Sequence, residues 1–237
     1  MPERALLLLA DIAGYTEFMR LHRLSLAHSQ EITRRLLESM LDAVPALRLV
    51  EVEGDALFLS APHSELEKPQ SSTGWLPSAL AMYQAFHTRQ QWMVAHNLCA
   101  CDACRQIGKL HVKFVAHVGD VVHQRIRDTE KLVGVDVIAV HRMLKNTVPA
   151  SEYVLMSEQL FESLEPELRD RAVRVEQDLE GLGRMPLYFV ELGDLPIELP
   201  AVPEPALPAR IRETAGLGLR AFPRLVGLRR GAPPFTS

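Results

Sequence analysis

The sequence predicts an α+β fold whose sheet is mixed or mostly antiparallel, with helices interleaved between the strands. The chain opens with a continuous apolar run, residues 5–10, which is typical of a strand buried on both faces. Residues 48–60 read as two short strands around a Gly-Asp pair, the pattern of a β-hairpin. Two long segments carry apolar residues at three- and four-residue spacing and therefore indicate amphipathic helices.

The first elements follow in order from these patterns. A buried strand covers residues 4–11 and ends at the carboxylate of Asp11. The helix that follows has its apolar stripe at Ile32, Leu36 and Met40 and stops before Pro45. Next comes the hairpin, whose turn holds a second carboxylate, Asp55.

The rest of the chain continues the alternation of strands and helices. Periodicity and β-branched content predict a helix at 76–96, a strand pair or bent strand at 111–122, a helix at 137–144, a strand at 153–156, a helix near 157–168, and strands at 173–179 and 187–192.

The composition changes after Leu192. Five prolines within residues 196–208 predict a stiff, extended segment, so we expect the compact domain to span residues 1–193 and a tail to span 194–237. Six arginines against one acid mark residues 210–230. Because Gly216, Gly218 and Pro223 disfavour helix, we expect this stretch to fold irregularly onto the body or to be solvated, and not to anchor in a membrane.

Charge and hydropathy exclude several classes of function. The net charge of −4, from 26 basic and 30 acidic residues, provides no overall field that would hold a nucleic acid. The longest aliphatic run is far shorter than the ~20 residues that span a membrane, and it starts too early for a signal peptide. We therefore expect a cytoplasmic protein with neither nucleic acid nor membrane as a partner.

Two carboxylates stand beside glycines at strand ends. Asp11 precedes Gly14 by three residues, and Asp55 directly follows Gly54. Carboxylate oxygens are the ligands that Mg²⁺ prefers, and glycine leaves backbone N–H groups open to phosphate oxygens. The alternative for each aspartate taken singly is a helix cap or a turn residue.

Four short motifs, in this order, make residues 4–192 resemble the catalytic domain of class III nucleotide cyclases, the adenylyl and guanylyl cyclases. The motifs are Asp11-Ile12-Ala13-Gly14-Tyr15-Thr16, Glu51-Val52-Glu53-Gly54-Asp55-Ala56-Leu57, His117-Val118-Gly119-Asp120-Val121-Val122, and Gly134 followed eight residues later by Arg142-Met143. The resemblance implies a ferredoxin-like βαββαβ core and a head-to-tail homodimer with two active sites at its interface.

The resemblance also implies an activity and its residues. A nucleoside triphosphate would be converted to a 3′,5′-cyclic nucleotide and pyrophosphate with Mg²⁺ or Mn²⁺ held by Asp11 and Asp55. The backbone from Ile12 through Ala13, Gly14 and Tyr15 to Thr16 would wrap the triphosphate. Arg142 of the other subunit would stabilise the transition state, since its planar donors suit a phosphoryl group that gains negative charge.

Several positions depart from the cyclase pattern. The ribose-orienting asparagine is replaced by Ile138, and the transition-state lysine by Glu180. The pair that reads the base is Glu51 and Lys131, which can recognise guanine or simply pair with each other. The alternative to an enzyme is therefore a catalytically degenerate module that binds nucleotide, or only its dimer partner, in signalling.

All three cysteines fall within six residues, Cys99, Cys101 and Cys104. Thiolates at such spacing are typical of a structural Zn²⁺ site in an insert at about residues 96–108, and a reducing cytoplasm disfavours a disulfide. We expect His96 as the fourth ligand, with His87 or another histidine as alternatives; the remaining histidines, among them His28, form no ligand pattern. The alternative is three inert buried thiols. In this cluster the chain is similar to divergent bacterial cyclase-like proteins with a Cys-x-Cys-x₂-Cys insert.

Overall fold

The computed structural model describes residues 2–19, 23–63, 74–127 and 129–225. The chain divides into two compact units. The unit that contains the sheet, here the sheet unit, consists of Met1–Ala13, Met40–Gln84 and His111–Glu198. The other, here the helical unit, consists of Gly14–Ser39, Ala85–Leu110 and Leu199–Ser237.

In the described residues, the sheet unit contains an eight-stranded sheet with strand order β2-β3-β1-β4-β6-β8-β7 and β5 paired to β4. The β4–β6 pair is parallel and the other pairs are antiparallel, so the predicted mixed, mostly antiparallel sheet is confirmed. The strands are β1 (Glu3–Ala13), β2 (Arg48–Glu53), β3 (Ala56–Pro62), β4 (His111–Ile126), β5 (Thr129–Val133), β6 (Tyr153–Ser157), β7 (Val173–Leu179) and β8 (Gly183–Glu191).

Helices alternate with these strands along the chain. They are α1 (Tyr15–Met19), α2 (Arg23–Asp42), α3 (Trp75–His96), α4 (Asp102–Gln106), α5 (Val135–Met143), α6 (Glu158–Glu162), α7 (Pro166–Arg169) and α8 (Leu207–Leu225). The succession β1-α2-β2-β3-α3-β4, with the strands ordered β4-β1-β3-β2, is the expected ferredoxin-like βαββαβ core. Within the described part of the chain, no helix is long and apolar enough to cross a membrane.

The core of the sheet unit is built around β1. Leu6, Leu7, Leu8 and Leu9 are all completely buried, which confirms the prediction of a strand covered on both faces. Leu7 and Leu9 belong to a cluster that also contains Val140 and Met143 of α5. Burial of this face fixes α5 on the sheet, and with it the polar residues that α5 carries.

A buried ion-pair network joins α2 to α8 in the helical unit. Glu31 accepts hydrogen bonds from Arg34 and Arg35, and Arg35 also pairs with Glu213 of α8. Burial alone would raise the pKa of Glu31, but the two guanidinium groups outweigh it and hold that pKa at about 2. Leu217, one turn beyond Glu213, is buried.

The prediction of an irregular stretch at residues 210–230 was wrong for its described part. Helix α8 runs through Gly216, Gly218 and Pro223, and residues 226–230 lie outside the described chain. A helical glycine costs about 1 kcal/mol relative to alanine. Burial of Leu217 and the Glu213–Arg35 ion pair offset that cost. The expected boundary at residue 193 stays a prediction.

Truncation of Leu217 tests whether α8 packs as described. Because the side chain is only 5% exposed, Leu217→Ala should lower the free energy of unfolding by about 2–3 kcal/mol. Leu219→Ala is the matched control on the same helix: its side chain is 74% exposed, and we expect a change within about 0.5 kcal/mol. Urea denaturation measures both. Equal effects of the two substitutions would contradict the packing.

Candidate functional site

The two predicted metal-binding aspartates lie on neighbouring segments of the sheet. Asp11 lies near the end of β1 and pairs in register with Ala56 of β3, the residue that follows Asp55. The Ile12 N–H also donates to the Asp55 carbonyl oxygen at 3.2 Å. Gly54 takes a left-handed conformation with φ of +66° in the turn, which glycine adopts without strain. The hairpin and the first strand therefore lie side by side, as expected.

The electrostatics of this pair are those of two carboxylates close together. Burial, and after it the negative charge of Asp11, together raise the pKa of Asp55 to about 6. Lys113, the cross-strand neighbour of Asp11 on β4, places its Nζ 3.1 Å from Asp11 Oδ2. Sequence reasoning missed Lys113, although a lone cation inside the apolar run of β4 was a usable signal.

The segment expected to wrap a triphosphate connects β1 to α1. Ile12 and Ala13 are the last residues of β1, and Tyr15 and Thr16 begin α1. Gly14 stands between them with φ of +87°, which turns the chain out of the strand. Ile12 is buried, so its backbone and not its side chain is the part that can serve a ligand.

Arg142 lies in the last turn of α5 and faces the turn between β7 and β8. A Cβ built on Gly181 would stand 3.1 Å from Arg142 Nη1, so the guanidinium packs against the residue after Glu180. Among the described residues, no hydrogen bond or ion pair joins Arg142 to Asp11 or Asp55. Ile138, one turn earlier on the same helical face, is 47% exposed and offers no hydrogen bond.

Glu51 and Lys131, the expected base-reading residues, pair with each other. Lys131 Nζ donates to both carboxylate oxygens of Glu51, at 3.3 and 3.2 Å. The two side chains come from β2 and β5 and remain nearly half exposed. Of the two alternatives, base recognition or mutual pairing, the structure has the mutual pairing of Lys131 with Glu51.

The three cysteines of the helical unit surround one histidine. Cys99 and Cys101 precede α4, Cys104 lies within it, and His28 comes from α2. The His28 Nδ1 atom is 3.7, 3.4 and 3.6 Å from the Sγ atoms of Cys99, Cys101 and Cys104. Burial lowers the pKa of His28 and raises the pKa of the Cys104 thiol. These four side chains form the Cys-His cluster.

The structure corrects the expectation that His96 is the fourth member. Its Nδ1 lies 2.9 Å from the Trp92 carbonyl oxygen and its ring stacks on Trp92, so it is turned back along α3. His87, the other candidate, lies 3.0 Å from Gln90 Oε1. His28 replaces both. It stands 71 residues before Cys99, and no local spacing could have identified it.

Comparison with known proteins identifies relatives of this chain. The family described as "Protein of unknown function (DUF2652)" matches residues 33–153. A protein of Mycobacterium tuberculosis, named "Uncharacterized protein Rv2561/Rv2562", is 35% identical over 205 residues, which cover 86% of this chain and 93% of that protein.

Solved structures show which fold this is. A bacterial light-regulated adenylyl cyclase superposes with a TM-score of 0.59 and 9% identity; the match covers 93% of this chain but only 58% of that one. The guanylyl cyclase Cya2 gives 0.53 and 14%, covering 84% of this chain and 98% of its own. The fold is therefore that of adenylyl and guanylyl cyclase domains.

The raised pKa of Asp55 predicts that ionisation of this carboxyl lowers the free energy of unfolding of the metal-free protein. Between about pH 4 and 6 the folded state binds more protons than the unfolded state, so stability falls as pH rises through this window. Because the carboxyl is partly solvated, screening limits the cost to about 1 kcal/mol. Asp55→Asn should therefore raise the melting temperature by about 2–4 °C at pH 7 in the presence of a chelator and not at pH 4.

The matched control is Asp170→Asn, an exposed aspartate in the turn after α7. This variant should follow the wild type across the whole pH range. A constant difference between Asp55→Asn and wild type from pH 4 to 7, measured by thermal denaturation, would show that Asp55 is not buried against Asp11.

Proposed function

This chain belongs to the DUF2652 family of proteins of unknown function, and we propose that it is a nucleotide cyclase, which converts a nucleoside triphosphate to a 3′,5′-cyclic nucleotide and pyrophosphate. The observation that carries the proposal is the paired carboxylates of Asp11 and Asp55 on adjacent ends of β1 and the β2–β3 hairpin, within a cyclase fold. Burying two like charges together is unfavourable unless a cation compensates them.

Asp11 and Asp55 fit a divalent cation. Both offer hard oxygen atoms, and the pKa of Asp55 is raised first by burial and then by the negative charge of Asp11, a charge that a bound cation would offset. Lys113 supplies one positive charge to Asp11. Mg²⁺ or Mn²⁺ held by the two carboxylates would reduce the charge on the phosphates and acidify the ribose 3′-hydroxyl.

The reaction needs groups that this pair does not contain. The 3′-oxygen attacks the α-phosphorus and loses its proton to solvent, while the bond from that phosphorus to the bridging oxygen breaks and pyrophosphate leaves. Negative charge grows on the phosphoryl oxygens during the step. The Arg142 guanidinium, which has no carboxylate partner among the described residues, suits that charge.

A homodimer would bring the two sets of residues together. Among the described residues, no hydrogen bond or ion pair links Arg142 to Asp11 or Asp55, so each chain would offer two incomplete halves of a site. Val135 and Ile138, 63% and 47% exposed, share a face of α5 with Arg142 and give that face apolar surface to bury. In a two-fold, head-to-tail dimer, Arg142 of one subunit serves the carboxylates of the other, at two equivalent sites.

The Glu51–Lys131 pair favours guanine over adenine. Once a base separates the two side chains, Glu51 can accept hydrogen bonds from the guanine N1–H and N2–H₂ groups, and Lys131 can donate to O6. Adenine offers an acceptor at N1 and a donor at N6, which does not match this order. GTP should therefore raise the melting temperature more than ATP at equal concentration.

A second function is a degenerate cyclase domain that binds nucleotide without turnover. Two positions favour it: Ile138, in place of a hydrogen-bonding side chain, and Glu180, in place of a cation, which directly precedes the Gly181 that Arg142 packs against. Loss of one positioning group typically lowers a rate by about 10²–10³. The two functions differ in whether a cyclic product forms.

Mixing two inactive variants tests the enzyme and its dimer together. Asp55→Ala and Arg142→Ala should each abolish cyclic nucleotide formation, because each removes one half of every site. Mixed dimers regain one intact site, so an equimolar mixture should recover about a quarter of wild-type activity. Liquid chromatography with mass detection measures the product. An active wild type whose mixed variants stay inactive after subunit exchange would contradict sites shared between subunits.

Restoring a hydrogen-bonding side chain at position 138 tests the departure from the cyclase pattern. Ile138→Asn should raise turnover by about 10-fold or more, since the amide can orient the ribose. Ile138→Leu is the control and should leave turnover near the wild-type value. A variant no faster than the control would show that position 138 does not face the substrate.

A further inference from the structure

We propose that His28, Cys99, Cys101 and Cys104 form a closed, structural Zn²⁺ site. This site is independent of the proposed cyclase function, because it uses none of the residues assigned to the nucleotide. The proposal rests on the geometry of the Cys-His cluster, whose four ligand atoms all lie within 4.8 Å of one another.

The distances are those of a tetrahedral zinc site. Zn–S bonds of about 2.3 Å and Zn–N bonds of about 2.0–2.1 Å at tetrahedral angles separate sulfur from nitrogen by about 3.5 Å. The three distances from His28 Nδ1 to the sulfur atoms are 3.4, 3.6 and 3.7 Å. The side chains are therefore spaced as if around a common centre.

Hydrogen bonding does not account for this convergence. A ring nitrogen of a neutral imidazole offers one lone pair or one N–H, so Nδ1 can form one good hydrogen bond and not three. Three thiols of ordinary type would have no reason to point at a single nitrogen. A metal ion with three thiolate ligands and one imidazole ligand satisfies all four side chains at once.

The chemistry of the ligands selects zinc and a structural role. A Cys₃His set is among the common closed zinc sites, and it leaves no coordination position for water or substrate. Cys104 and His28 are buried, and Cys99 and Cys101 are partly buried, so the cluster is shielded from exchange with solvent ligands. Catalytic zinc sites instead keep one position open.

The site would tie together three parts of the helical unit. His28 belongs to α2, and the cysteines belong to the segment that ends in α4. Leu98, the residue before Cys99, donates its backbone N–H to Thr214 Oγ1 of α8 at 2.9 Å. Zinc at the Cys-His cluster therefore fixes the segment on which α8 is held, and removal of zinc should expose α8 to proteolysis.

Metal analysis of the full chain, purified without added metal, tests the proposal. We expect about one equivalent of zinc per chain, lost in His28→Asn and in Cys101→Ser. His96→Asn is the matched control, because His96 lies outside the cluster, and it should keep its zinc. Less than about a tenth of an equivalent in wild type, with three thiols that react freely in the folded protein, would overturn the proposal. So would loss of zinc from His96→Asn with retention in His28→Asn.

Cobalt substitution provides a readout that does not depend on the stability of one variant. Co²⁺ in the wild-type site should show the intense visible bands of tetrahedral coordination and thiolate-to-metal charge transfer in the near ultraviolet. His28→Cys supplies a fourth thiolate, a weaker-field ligand than imidazole, and should shift the visible bands to longer wavelength. Identical spectra from both proteins would remove His28 from the ligand set and overturn the proposal.

Discussion

The register of β1 between β3 and β4 is the constraint on which the candidate site depends. Leu7 and Leu9 pack in the cluster that holds α5, whereas Leu6 and Leu8 are buried outside that cluster, and a slip by one residue would exchange the two pairs. The same ladder sets Asp11 opposite both Ala56 and Lys113. Packing of the core thus determines which charged groups meet at the end of β1, and the strand holds two carboxylates together at a cost to stability.

The cost in stability of placing the two carboxylates together is the observation that supports the proposed function. A partly buried pair of acids, one with a pKa raised to about 6, is unfavourable in the metal-free protein and would be favourable in one that binds a cation. Arg142 stands in a different environment, beside the β7–β8 turn. Among the described residues, Arg142 forms no hydrogen bond or ion pair with Asp11 or Asp55, and this is the physical reason to propose that two chains complete a site.

Local patterns predicted most of the sheet and helices, because burial imposes its period on the sequence. The hairpin and the helix that carries Arg142 were predictable in this way, and the βαββαβ order was implied by the resemblance to cyclase domains. His28 was not predictable, since it acts against cysteines 71 or more residues away. Lys113 was marked only as a lone cation in the apolar run of β4, and its partner Asp11 follows from the β1–β4 ladder and from no local pattern. Helix α8 is a different case. The low helix propensity of glycine predicted irregular structure there, but burial of Leu217 and one ion pair stabilise a helix.

The most direct test of the account is the product formed from each nucleoside triphosphate. Purified protein is incubated with GTP or ATP and Mg²⁺ or Mn²⁺, and the products are separated and identified by mass. We expect a 3′,5′-cyclic nucleotide and an equal amount of pyrophosphate from the wild type, and neither from Asp11→Asn. A wild type that binds nucleotide and metal yet forms no cyclic product would contradict it.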